Sequence, residues 1–78
     1  MDFKEATDRL MDAGCTARDL AGALGLAPQT VRAMRLDPSS SAHRNPPKGW
    51  NEALEGLARA KGEELRELAD ALRAERQE

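Results

Sequence analysis

Between Pro28 and Leu36 the chain reads PQTVRAMRL, and Gln29, Thr30, Arg32, Ala33 and Arg35 in that stretch carry side chains suited to meeting another molecule. A glutamine carboxamide can bond adenine N6 and N7, an arginine guanidinium can bond guanine O6 and N7, and an alanine or threonine methyl can pack on a thymine methyl. Such groups read another surface only when one rigid face holds them together. Val31 and Met34 fall at helical spacing among them, so residues 28–36 read as a short helix with Val31, Met34 and Leu36 turned inward. Pro28 suits its first position, where the missing N–H costs nothing, whereas Ala27 lacks the side-chain oxygen of an ordinary cap.

The support for that helix lies just upstream. Ala17 to Leu36, ARDLAGALGLAPQTVRAMRL, places Ala21, Gly25 and Val31 where two short helices cross at a sharp turn. Ala21 is small at the crossing, Gly25 can take the left-handed conformation that ends the first helix, and Val31 reaches back into the shared core. This is the pattern of a helix-turn-helix, whose usual use is to present its second helix to the major groove of DNA.

The remaining elements read as helices and one loop, an all-α architecture of three short helices and a long C-terminal one. Asp2 can cap a helix over about residues 2–13, with Phe3, Ala6, Leu10 and Ala13 inward and Gly14 as its stop. Thr16 caps the next helix, with Asp19 three residues on as in a capping box, and Leu20, Ala21 and Leu24 form its inward stripe. Residues 1–36 thus form one helical unit. Residues 37–47, DPSSSAHRNPP, are a loop by composition. From about Pro47 to Ala74, Trp50, Leu54, Leu57, Lys61, Leu65, Leu68 and Leu72 recur at steps of three and four, so residues 48–78 read as one long amphipathic helix. Gly62 is the expected place for a kink or break, since an interior glycine costs about 1 kcal/mol relative to alanine.

Length gives that last helix a consequence. About 28 residues span roughly 42 Å at 1.5 Å each, more than three short helices can cover. Trp50, Leu54 and Leu57 can close the core, which leaves Leu65, Leu68 and Leu72 as the expected homodimer seam. The alternative is a turn at Gly62 that folds the last segment back on its own domain.

Composition excludes several classes. A chain of 78 residues holds one small core, and a single cysteine permits neither an intrachain disulfide nor a structural zinc site. No apolar run approaches a membrane span and no signal-peptide pattern is present, so a soluble cytoplasmic protein is expected. No metal site, cofactor or small-molecule ligand is expected. Cys15 with His43 makes a poor catalytic pair on separate elements, Trp50 reads as a core anchor rather than a base-stacking residue, and an enzyme is not expected. The net charge of -2 is unevenly spread: residues 16–50 hold Arg18, Arg32, Arg35, Arg44 and Lys48 against Asp19 and Asp37, while both flanks are acidic. Local charge matters more than the total for steering a polyanion.

With Ala21, Gly25 and Val31 flanked by Leu20, Leu24 and Met34, the chain resembles the Cro/repressor-like, Xre-type helix-turn-helix transcriptional regulators of bacteria and their phages, including the compact repressors that accompany anti-CRISPR genes. The resemblance covers about 20 of the 78 residues; it departs from the pattern at Ala27 and at the Ser-rich loop. It implies a homodimeric repressor reading double-stranded DNA at an inverted repeat, with Gln29, Thr30, Arg32 and Ala33 at base edges and Arg35 nearer the backbone. Thr16 and Arg18, at a helix N-terminus, are candidate phosphate contacts, as are Arg44 and Lys48 and, against a reading as solvated linker, Ser39, Ser40, Ser41 and His43. The alternative function is a protein-interaction module that docks its long terminal helix on a transcription-related partner.

Overall fold

A computed structural model describes residues 1–76. Four helices follow in order: α1 (Phe3–Asp12), α2 (Ala17–Leu24), α3 (Pro28–Met34) and α4 (Trp50–Arg76), with no strand among the described residues. The core sits where α2 packs on both α3 and α4 while α1 closes against α4, and it contains Phe3, Leu20, Ala21, Val31, Met34 and Leu54. Leu20 at its centre is fully buried. Trp50 is half-buried and meets Phe3 edge to face, with ring centroids 5.3 Å apart at 82°, which makes it the core anchor expected from its place in the stripe.

The helix ends show why these segments stop where they do. Asp2 accepts from the Glu5 N–H at the start of α1 (2.8 Å), and Thr16 and Asp19 form a reciprocal capping box at the start of α2. Gly25 ends α2 in the left-handed region (φ +70°), which lets the Leu26 N–H reach back to the Ala21 carbonyl at 2.9 Å. Gly14 (φ +106°) does the same after α1, where the Cys15 N–H bonds the Leu10 carbonyl at 3.0 Å. In both cases the next residue, Cys15 or Leu26, turns back toward the core, as it does in the Schellman motif. α3 starts on Pro28 with no side-chain cap from Ala27, as its sequence implies.

Three expectations need correction, the start of α4 and the inward placing of Leu36 and Ala13. α4 begins at Trp50 rather than near Pro47, because Gly49 takes φ +83° in a turn closed by the Trp50 N–H on the Pro47 carbonyl (3.2 Å). It runs unbroken through Gly62, in keeping with the reading of one long helix and without the break that glycine could have made. The helix-forming residues around that glycine and the Lys61 to Glu64 ion pair across it (3.7 Å) outweigh a local cost of about 1 kcal/mol. Leu36 and Ala13 are exposed rather than inward, since each lies just past the end of its helix. Thr7, in turn, is buried where its polar type gave no core signal.

The buried Thr7 hydroxyl organises a contact between distant parts of the chain. It donates to the Phe3 carbonyl (2.9 Å), with the Lys4 carbonyl also in reach (3.0 Å), and it accepts from Arg35 Nε (3.0 Å). The Arg35 guanidinium also pairs with Asp8, so the end of α3 is tied to the middle of α1. That hydrogen bond holds the Asp8 carboxyl below its ordinary value of 3.8; the backbone N–H groups of Thr16 and Ser39 do the same for Asp19 and Asp37. Carboxylates depressed in the folded state contribute stability that is present above the unfolded pKa and lost as pH falls through the folded one. The melting temperature is therefore expected to hold from neutral pH to about pH 4 and to fall below it. In Asp8→Asn it should start lower and fall less steeply. A melting series from pH 7 to pH 2 by circular dichroism checks this, and an unchanged slope in Asp8→Asn would remove Asp8 from the account.

Candidate nucleic-acid interface

The outward face of α3 is built by the two residues that anchor its inward face. Val31 and Met34 are buried, and with Ala21 from α2 they hold a seven-residue helix that would be marginal alone. Gln29 and Arg32 then stand exposed, while Thr30 and Ala33 are half-buried on the flanks. Four of the five residues picked out in α3 and its C-cap thus lie on or beside one accessible surface. Arg35 does not. Its backbone ends the helix, and its guanidinium turns back onto Thr7 and Asp8, with 27% of the side chain exposed. The long-range partners that draw it inward lie 27 and 28 residues away, so local periodicity carries no sign of them.

The loop is not a loose linker. Asp37 Oδ1 accepts from both the backbone N–H and the hydroxyl of Ser39 (2.9 and 2.7 Å), and Ser40 Oγ accepts from the Ala42 N–H (3.3 Å). The serine run therefore builds turns. His43 Nδ1 lies 2.9 Å from the Leu36 carbonyl, and the Arg44 N–H bonds the Ala33 carbonyl at 3.3 Å. These bonds seat the backbone of Arg44 beside the C-terminal end of α3, and its side chain is exposed. Periodicity had no means of placing it there, because the bond is made by backbone groups.

At the start of α2, Thr16 uses its hydroxyl to accept from the Asp19 N–H (3.1 Å), and its own N–H goes to Asp19 Oδ2 (2.9 Å). The carboxylate of Asp19 thus occupies the helix end at which Thr16 was expected to meet a phosphate. Arg18, one residue before it, is exposed.

Among the described residues, Arg18, Arg32, Arg44 and Lys48 are exposed and make no ion pair, and neither do Arg66, Arg73 and Arg76 on α4, whereas Lys4, Arg9, Arg35, Arg59 and Lys61 each have an acidic partner. The α4 arginines sit among as many or more acids, but residues 16–50 hold only Asp19 and Asp37 against five bases, which leaves a local positive field on a chain whose net charge is -2. Cys15 is buried in the turn between α1 and α2 and His43 is in the loop, with no group of metal-ligating residues among those described. No helix among the described residues is long and apolar enough to cross a membrane. Compared with family models, curated proteins and solved structures, the chain matches none of them.

Proposed function

We propose that the chain is a sequence-specific double-stranded DNA-binding regulator, a repressor of the Cro/repressor-like helix-turn-helix type, acting as a homodimer on an inverted repeat. The observation that carries this reading is the exposed pair Gln29 and Arg32 on a helix held by Val31 and Met34 and preceded by the left-handed turn at Gly25. Gln29, Thr30, Arg32 and Ala33 read base edges, and Arg18, Arg44 and Lys48 bind phosphate. Arg35 has a different part: it locks the end of α3 to α1 and so fixes the angle at which that face is presented.

Selection from random duplexes at fixed salt tests the proposal directly. Arg32→Ala is then expected to lose about 1–3 kcal/mol on the selected site and little on random DNA, as a lost bidentate base contact does. Arg44→Ala is expected to weaken all duplexes alike and to lower the salt slope by about one. Equal losses on specific and random DNA for Arg32→Ala would remove α3 from base reading. A chain that enriches no duplex would sink the proposal as a whole and favour the second reading, a module whose leucine-bearing α4 docks on a transcription-related protein. The exposure of Leu65, Leu68 and Leu72 supports that alternative.

A further inference from the structure

The inward face of α4 runs through Trp50, Leu54, Leu57 and Lys61, and at steps of three and four it continues through Leu65, Leu68 and Leu72. α1 and α2 cover the first half. Every residue from Gly62 to Arg76 is exposed, and the three leucines on that continued face are 48%, 55% and 52% exposed. The chain extends 57 Å along one axis and about 20 Å across, so the last 15 residues stand out from the packed unit by roughly 22 Å. Fold-back at Gly62 does not occur.

We propose that this face is covered by the same face of a second copy, with the two α4 helices antiparallel and the two Leu68 side chains level at the twofold axis. The inference rests on the homodimer reading above and adds its geometry. Shape decides the direction. In each chain α1 and α2 sit on the very face that carries the leucines, up to Lys61, so a parallel pair would drive two packed units into the same space at the same level. An antiparallel pair sends them to opposite ends, and each protruding segment lies in line with the partner's packed unit.

Charge agrees with that arrangement. With the Leu68 pair level, Leu65 falls within one residue's rise, about 1.5 Å, of the partner's Leu72. On one flank of the seam, Glu75 falls level with the partner's Lys61, which in its own chain pairs with Glu64 at 3.7 Å, is close enough to Asp19 to lower that carboxyl, and has its stem near Gly14. On the other flank, Gly62 and Ala69 are small enough for close approach, and Arg76 reaches the partner at the level of Ala60, toward the C-terminal end of α1 and Asp12. A cation is favoured there by the carbonyl end of α1. The Leu54 positions of the two copies are then about 42 Å apart along the pair, on the scale of the roughly 34 Å between half-sites on one face of DNA.

Disulfide trapping separates the directions. Glu64 and Ala71 share one flank of the seam, and antiparallel pairing places Glu64 within one residue's rise of the partner's Ala71. Within one chain they are seven residues apart, about 10.5 Å, and cannot bridge. The double variant Glu64→Cys/Ala71→Cys is expected to form a linked dimer on mild oxidation, whereas Leu72→Cys alone, whose copies are separated by about 12 Å along the pair, is not. Native Cys15 is buried, so the unmodified chain is the blank. Because all three positions lie on the exposed segment, the variants keep the packed unit, and circular dichroism verifies it.

Sedimentation of the unmodified chain completes the test. A dimer together with linkage of the double variant only supports the proposal. A dimer in which Leu72→Cys links and the double variant does not overturns the antiparallel direction and leaves the homodimer standing. A folded chain that stays monomeric at hundreds of micromolar, with no variant linked, overturns both the pairing and the homodimer reading, while duplex selection still reports separately on DNA binding.

Discussion

Leu20→Ala is expected to cost about 2–5 kcal/mol, the range for truncating a fully buried leucine without collapse of the space it leaves. Leu20 lies at the crossing of α2 with α3 and α4 and has no exposure at all. A domain has only about 0.05–0.15 kcal/mol of stability per residue, so that loss is comparable with everything the 78-residue chain has. Urea unfolding followed by helical signal should show a large drop in midpoint or a chain already unfolded without denaturant. Leu68→Ala provides the contrast. With 55% of its surface exposed, Leu68 should cost the monomer well under 1 kcal/mol, so any larger loss must come from association and must depend on protein concentration. A small effect of Leu20→Ala would mean that the crossing of α2 with its neighbours is not the core.

Truncation after Lys61 should leave the helical unit folded and remove most of its affinity for a full operator. Among the described residues, all the buried ones, from Phe3 to Leu54, lie before the cut, and the half-buried Trp50 and Leu57 do too. What the cut removes is the exposed segment proposed to join two copies. A unit this small reads a short stretch of bases, so its binding to a half-site should be weak and little changed by truncation. On a palindrome, joining two units turns the second contact into an intramolecular one, a gain that reaches 10²–10⁴-fold where the spacing fits. Truncation should forfeit that factor at constant salt. Equal affinity of the full chain and the truncated one for a selected palindrome would show that α4 contributes nothing to operator binding beyond closing the core.

What the sequence determined by itself was local. Helix starts and stops are set by a few neighbouring groups: the Asp2 cap, the Thr16 and Asp19 box, Pro28 at the head of α3, and the glycines at 14 and 25. Each acts within five residues and is legible as spacing. The inward stripe of α2 and α3 and the exposure of Gln29 and Arg32 follow from helical periodicity in the same way. Only the tertiary structure decided where groups far apart in the chain meet. It drew Arg35 off the outer face onto Thr7 and Asp8, buried a threonine whose hydroxyl is satisfied from both sides, and seated Arg44 beside α3 through a bond to the Ala33 carbonyl. The physical reason is the range of the forces. Capping and periodicity act between neighbours along the chain and leave a pattern in it, whereas a buried hydrogen bond or ion pair forms between whichever partners the packed helices bring within reach, and either residue alone looks like an ordinary surface group.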